Sequence, residues 1–166
     1  MTLLPYIEAP LHIQFHALAA TIAVLIGPIA LYRKRRDRLH KIVGYIWITA
    51  MLIVATTAFF IHSFAVIGPF SPIHGFAILT YWSIYTAMRH VFAGRIHEHQ
   101  LALRNLYWFG LIIAGLANFL PGRTTNRTFF GDAPEMGYVF IAVVATLLIA
   151  FAVYRRRLAP APLAQV

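Results

Sequence analysis

No charged side chain interrupts the stretch Met136-Gly-Tyr-Val-Phe-Ile-Ala-Val-Val-Ala-Thr-Leu-Leu-Ile-Ala-Phe-Ala-Val-Tyr154. The hydrocarbon core of a bilayer is ~30 Å thick, and about 20 helical residues cross it. Backbone groups in lipid must be hydrogen-bonded within the chain, which favours a helix. The stretch therefore predicts a transmembrane helix over residues 136–154. Its near-total lack of polar side chains suggests a packing or lipid-facing anchor.

Four further apolar runs have comparable length: residues 12–31, 42–67, 75–92 and 99–120. Hydrophobic residues make up 60% of the 166 positions and charged residues only 11%, which is not the composition of a soluble domain. We therefore predict an all-α integral membrane protein with five transmembrane helices in a single domain, residues 1–158. The first four helices would form an up-down-up-down bundle. Residues 159–166 would form a disordered tail.

Basic residues collect at one end of the predicted helices. They stand at positions 33–36, 38 and 41, at 89, 95 and 104, and at 155–157, whereas only Arg123 and Arg127 fall at the other end. The positive-inside rule then places the amino terminus outside and the carboxyl terminus in the cytoplasm, as in a bacterial inner-membrane protein. This rule also explains the net charge of +9, so the lipid bilayer is the expected partner and nucleic acid is not. Without cysteine, any metal or haem would need histidine ligands.

All eight histidines lie near the ends of the predicted helices. Those toward the outer face are His12, His16, His62 and His74, and those toward the cytoplasm are His40, His90, His97 and His99. His12 and His16, four residues apart, share one helix face. By contrast, His90 lies on the opposite side of its helix from His74 and should be peripheral.

A short internal repeat singles out four of these histidines. Pro10-Leu11-His12 opens the first helix and Pro72-Ile73-His74 opens the third, while His40 and His99 each stand where a return helix begins. In an up-down-up-down bundle, the first helix faces the third diagonally and the second faces the fourth. We therefore predict that His12 approaches His74 near the outer face and that His40 approaches His99 near the inner face.

Three segments carry a family resemblance: Leu39-His40-Lys41-Ile42-Val43-Gly44, Gly68-Pro-Phe-Ser-Pro-Ile-His74, and the stretch from His99 through Phe119-Leu-Pro-Gly-Arg123 to Phe130-Gly131. They are similar to a family of bacterial multi-pass membrane proteins classified as domain of unknown function 2306. The similarity runs from the first helix to Gly131 and implies roles for His40, His74 and His99, but no established activity.

The chain departs from the pattern of that family at several positions. The family has His-Arg-x-x-Gly and later His-Arg-Arg-x-Met at helix starts, whereas this chain has Lys41 in place of the first arginine. Gln100 and Leu101 replace the later arginine pair, and Leu103 replaces the methionine. A haem or copper ligand at that methionine position is therefore not available in this chain.

Histidine pairs on facing helices are typical of b-type haem sites in helical bundles. We therefore expect haem b bound through His12, His16, His62, His74, His40 and His99, in an arrangement similar to that of cytochrome b561-type electron carriers. The shallow depth of the histidines at the helix ends favours an alternative, copper or zinc at His12, His16, His62 and His74. A third interpretation gives the histidines a structural role in a membrane scaffold or assembly factor.

Two other groups of polar residues suggest ligands. The span Thr80-Tyr81-Trp82-Ser83-Ile84-Tyr85-Thr86 is the most polar of the five and should be central, either through interhelical hydrogen bonds or as the lining of a quinone or small-substrate site that includes Asn118. Arg123 and Arg127 would bind lipid phosphates or another anion. A membrane-protein partner or a homodimer is also compatible with the sequence.

Overall fold

The computed structural model describes residues 2–61 and 72–158, which form seven helices and no strand. In chain order the helices are α1 (Leu4–Ile7), α2 (Leu11–Tyr32), α3 (Arg38–Ala58), α4 (Pro72–Phe92), α5 (Ile96–Ala117), α6 (Thr124–Phe130) and α7 (Met136–Leu158). Within α5, residues Leu106–Ile112 form π-helical turns. The sequence predicted neither α1 nor α6.

Four helices in the described part of the chain are long and apolar enough to cross a membrane: α2, α3, α5 and the Met136–Tyr154 portion of α7. Helix α4 has 21 residues, as many as α3, and carries hydroxyl, indole and basic side chains, but it is not one of these four helices. The all-helical architecture is therefore confirmed, and four of the five predicted spans correspond to helices whose length and composition suit a membrane span.

The limits of α3 differ from the predicted range, 42–67. The helix begins earlier because the Asp37 carboxylate caps it and accepts a hydrogen bond from the backbone N–H of His40 at 2.9 Å. It ends at Ala58, where the N–H groups of Phe59 and Phe60 turn back to the carbonyls of Thr56 and Thr57. Residues 62–67 of the predicted helix and the predicted tail, 159–166, lie outside the described residues.

The four helices α2 to α5 pack in the order of the chain, and α5 returns to contact α2. Small side chains let these helices approach closely, as is usual between membrane helices. The buried alanines are Ala19, Ala23 and Ala30 on α2, Ala50, Ala55 and Ala58 on α3, and Ala77 and Ala87 on α4. Larger side chains fill the centre, where Trp47 is fully buried and Met51 nearly so.

A break in the hydrogen bonding of α2 lies at this centre. Pro28 has no N–H, so the carbonyl of Val24, four residues earlier, loses its helical donor. The Tyr107 hydroxyl on α5 donates to that carbonyl at 3.1 Å, and Trp47 Nε1 on α3 donates to the adjacent Ala23 carbonyl at 3.0 Å. Gly27 lies against both aromatic rings, and a Cβ there would overlap the Tyr107 ring. The Val24 carbonyl that Pro28 leaves without a helical donor is therefore satisfied from α5.

The π-helical turns of α5 let two consecutive aromatic residues reach α2. Neighbouring residues of an α-helix do not face the same partner helix. In this segment Tyr107 bonds to Val24, while Trp108 Nε1 donates to the Tyr32 hydroxyl at 2.7 Å. The two rings meet edge to face, with centroids 5.2 Å apart. The wider π turns thus serve to align α5 with α2.

Helices α1 and α6 form a small cap. The Thr2 N–H donates to the Thr128 carbonyl at 3.2 Å, and the Tyr6 and Thr125 hydroxyls lie 2.5 Å apart. Asn126 is fully buried, and its amide donates to the carbonyls of Phe119 at 2.7 Å and Pro134 at 2.8 Å. These bonds hold the segments on both sides of α6 in place. By contrast, α7 is exposed along most of its length.

Candidate functional site

His16 connects α2 to α3 through a hydrogen bond whose direction can be assigned. Its Nδ1 lies 2.9 Å from Thr57 Oγ1. The Thr57 hydroxyl is itself directed at carbonyls of its own helix, Ile53 O at 2.6 Å and Val54 O at 3.1 Å. Because a hydroxyl has one proton, Nδ1 of His16 is the donor in its bond to Thr57. Nε2 of the neutral imidazole then keeps its lone pair.

His74 connects α4 to the end of α3. It is buried, its Nε2 lies 3.3 Å from the Phe59 carbonyl, and the two rings are 5.8 Å apart. A carbonyl oxygen only accepts, so Nε2 carries the hydrogen. The other outer histidines are placed differently: His12 is half-buried one turn before His16, and His62 lies outside the described residues.

His99 connects the start of α5 to α4. Its Nδ1 donates to the Ala87 carbonyl at 2.9 Å, which again leaves the lone pair on Nε2. His40 stands in the first turn of α3, and its Nδ1 is buried with no hydrogen-bond partner in the described residues.

His90 and His97 are the two histidines of the predicted cytoplasmic group that the internal repeat does not include. His97 is exposed. His90 is half-buried, its Nδ1 has no partner in the described part of the chain, and it lines a cavity of about 130 Å³ with Thr86, Arg89 and Arg95.

Three of the six predicted site histidines thus connect helices that follow one another in the chain. His16 joins α2 to α3, His74 joins α4 to α3, and His99 joins α5 to α4. Within the described ranges, no hydrogen bond joins His12 to His74 or His40 to His99, and no three histidine or acidic side chains group closely enough to hold a metal ion. The diagonal pairs stay predictions.

Hydrophobic side chains fill the interior near the inner histidines. Leu31, Ala87 and Leu103 are buried in the same cluster as Trp47 and Met51. Pockets for organic ligands usually measure about 300–1,000 Å³, whereas the cavity beside His90 is far smaller. The lone pairs on His16 and His99 suit a metal or haem iron, but the packed interior at this level suits a small ligand better than a macrocycle.

The predicted anion-binding arginines lie around α6. Arg123 is half-buried just before the helix, and burial lowers its pKa. Arg127 is exposed within the helix. Asn118, the predicted partner of a quinone site, is exposed just after α5, and its side chain donates to the Ala114 carbonyl at 3.4 Å.

A cluster of side chains at the carboxyl-terminal end of α2 was not predicted from the sequence. The Arg104 guanidinium lies over the Tyr32 ring, 4.9 Å from its centre, and within 3.5 Å of the Leu31 carbonyl. Trp108 bonds to the Tyr32 hydroxyl from the same side. A cation near the carbonyl end of a helix is favourable, whereas the sequence indicated for Arg104 only a contribution to membrane topology.

The structural role of Asp37 was also not predicted from the sequence. Its carboxylate pairs with the Arg33 guanidinium and caps α3. The Arg33 hydrogen bond, helped by the His40 N–H, holds the pKa of Asp37 well below its usual value. The sequence does contain a signal for this role, because an aspartate directly before a helix is typical of an N-cap and this one lies within a run of basic residues.

Comparison with known proteins yields one match. A family described as predicted membrane protein (DUF2306) matches residues 13–156. No curated protein and no solved structure matches the chain. The family match covers most of α2, all of α3 to α6 and most of α7, and its description states a membrane location without an activity.

Proposed function

Because the chain belongs to the predicted membrane protein family DUF2306, we propose that it is a bacterial inner-membrane protein with five spans. In this proposal α2 to α5 form an up-down-up-down bundle and α7 is a fifth, lipid-facing helix. Two features support α4 as a span: its length equals that of α3, and it is hydrogen-bonded to helices on both sides through His74 and His99.

The proposed orientation places the amino terminus outside and the carboxyl terminus in the cytoplasm. The basic residues after α2, between α4 and α5, and at the end of α7 support it. We expect a reporter that works only in the cytoplasm to be active when it is fused after Arg157, and a reporter that works only in the periplasm to be inactive there. A fusion active in the periplasm would reject the orientation and the number of spans together.

We propose that the histidines of this protein act as structural ties and that the protein serves as a non-enzymatic membrane scaffold or assembly factor. One observation carries this proposal: His16, His74 and His99 each bond to a neighbouring helix, and together they connect all three consecutive pairs from α2 to α5. A scaffold needs helix faces held in fixed positions. A hydrogen bond between membrane helices contributes about 0.6 kcal/mol on average and up to about 1.7 kcal/mol.

Substitutions at His99 separate a tie from a ligand. His99→Leu removes the donor to Ala87, and we expect it to lower the free energy of unfolding by about 1 kcal/mol in mixed micelles. His99→Asn places an amide N–H close to the position of Nδ1, so we expect it to retain most of the stability. The exposed His97 provides the matched control, because His97→Leu should change stability by less than about 0.5 kcal/mol. Equal losses in the Leu and Asn variants at position 99 would reject the tie.

A redox or metal-binding role is the second candidate, and the lone pairs assigned to Nε2 of His16 and His99 favour it. A ligating histidine usually donates its other N–H to a fixed oxygen, as these two do. Haem b would supply one-electron chemistry, whereas copper or zinc would fit the limited space better.

Spectra and metal analysis of one purified sample test this second candidate. If the protein binds haem, a sample produced with a haem precursor should show a Soret band that shifts on reduction. If it binds copper or zinc, a sample supplied with that metal should retain a stoichiometric amount of it. The signal should fall in both His99→Asn and His99→Leu, because neither side chain offers an imidazole. A featureless spectrum with background metal would reject haem and metal binding and leave the scaffold proposal standing.

A further inference from the structure

A small cavity lies where the chain turns from α4 into α5. It measures about 130 Å³ and is lined by Thr86, Arg89, His90 and Arg95. Backbone hydrogen bonds close the turn, since the Ala93 N–H donates to the Arg89 carbonyl at 3.1 Å and the Arg95 N–H donates to the His90 carbonyl at 2.9 Å. These bonds fix the backbone on both sides of the cavity.

Two positive charges border this cavity without an anionic partner. Arg89 and Arg95 are exposed, and within the described residues neither guanidinium forms an ion pair or a hydrogen bond. Arg89 lies only over the Tyr85 ring, 5.9 Å from its centre. The single acidic residue between positions 38 and 131 is Glu98, which forms no ion pair in the described ranges. The cavity therefore has an excess of positive charge and free N–H donors.

A third polar group at the cavity also lacks a partner. Nδ1 of His90 is buried, and no donor or acceptor in the described part of the chain reaches it. A buried nitrogen without a hydrogen bond is unfavourable. By contrast, the Thr86 hydroxyl is directed at carbonyls of its own helix, Trp82 O at 2.9 Å and Ser83 O at 3.1 Å. An oxygen acceptor in the cavity would thus satisfy His90 as well as the two arginines.

We propose that this cavity binds a phosphate group through Arg89, Arg95 and the Nδ1–H of His90. The guanidinium fork matches phosphate oxygens, and donors on three separate side chains suit a tetrahedral anion better than a planar carboxylate. Organic ligands usually occupy about 300–1,000 Å³, so a cavity of this size suits a group of few atoms. Helix α5 begins at Ile96, directly after Arg95, and the positive end of its dipole also favours an anion here.

The phosphate group can belong to a phospholipid headgroup or to a small soluble compound. In the proposed orientation, the turn between α4 and α5 faces the cytoplasm at the membrane surface, where anionic headgroups attract basic residues. A phosphate bound there would link the two helices close to the bond between His99 and Ala87. The inference goes beyond the proposed scaffold role and does not depend on it, because the site is formed within one turn of the chain.

Thermal unfolding of the full chain in detergent tests the site, since a ligand of the folded state raises the midpoint. The probes are inorganic phosphate and dihexanoylphosphatidylglycerol below its critical micelle concentration, with sodium acetate at equal ionic strength as the blank. We expect Arg89→Gln and Arg95→Gln each to raise the half-saturating concentration of the bound probe about tenfold. The control Arg38→Gln removes the same charge from an exposed position at the start of α3 and should change it less than about twofold.

The two probes identify the source of the phosphate group. A lower half-saturating concentration for the lipid assigns a headgroup to the site, whereas a lower one for inorganic phosphate assigns a soluble compound. Equal weakening by Arg38→Gln would show general attraction to positive charge and overturn the proposal, as would the absence of a shift with both probes. Binding in detergent does not depend on the number of spans, so its failure would leave the proposed topology intact.

His90 has its own pair of variants. His90→Leu removes the N–H donor, and we expect it to weaken binding of the same probe about fivefold. His90→Asn places an amide N–H close to the position of Nδ1 and should retain most of the affinity. Equal weakening in the two variants, or unchanged binding in His90→Leu, would overturn the proposed role of His90 in the site.

Discussion

Gly27→Ala is expected to lower the free energy of unfolding by about 2–3 kcal/mol, although alanine is the better helix former. The added Cβ would overlap the Tyr107 ring and meet Trp47 Nε1 at 3.0 Å. Both rings are held by hydrogen bonds to α2, so they cannot move away without losing those bonds. Overpacking of this kind costs about 1–3 kcal/mol. Unfolding in mixed micelles of a mild detergent and dodecyl sulphate measures the change.

Gly44→Ala is the matched control for that substitution. Gly44 lies in α3, and no atom lies within 4 Å of the position its Cβ would take. Glycine costs a helix about 1 kcal/mol relative to alanine. We therefore expect Gly44→Ala to leave stability unchanged or to raise it. A Gly27→Ala variant as stable as the parent would show that α2, α3 and α5 do not meet as described.

Tyr107→Phe is expected to cost about 1–2 kcal/mol, because it removes the donor to the Val24 carbonyl that Pro28 leaves without a helical partner. The same substitution in a Pro28→Ala background should cost markedly less, since alanine restores the N–H that bonds to Val24. A double-mutant cycle in the same micelles measures the coupling.

The cycle has its own control and a clear contrary result. Tyr45→Phe removes a hydroxyl from an exposed position on α3 and should change stability by less than about 0.5 kcal/mol in either background. If Tyr107→Phe costs the same with Pro28 and with alanine at that position, the hydroxyl does not compensate for the missing helical bond.

The long helices could be predicted from hydropathy because their length is set by the thickness of the bilayer. Their ends were harder to place, since local hydrogen bonds decide them: Asp37 extends α3 at its start, and the turn at Phe59 and Phe60 ends it. The π turns in α5 could not be predicted from the sequence, because they depend on hydrogen bonds that Tyr107 and Trp108 both make to α2.

The candidate site could likewise be predicted from the sequence only in part. The described histidines lie near helix ends, but the partners of those side chains depend on which carbonyl or hydroxyl a neighbouring helix presents. Thr57 and the Phe59 and Ala87 carbonyls carry no sequence signal of this role. The buried Nδ1 of His90 is likewise visible only once α4 and the loop after it are in place.

The histidine ties also bear on the order in which the chain assembles. Each tie joins two helices that are consecutive along the chain, so it can form as soon as the second helix of a pair has folded against the first. Contacts between near neighbours form early because little chain entropy is lost in making them. The bonds from Tyr107 and Trp108 to α2 join the most distant pair and must wait until α5 arrives. The hydrogen bond from Tyr107 to the Val24 carbonyl, which Pro28 leaves without a helical donor, would then be among the last contacts of the core to form.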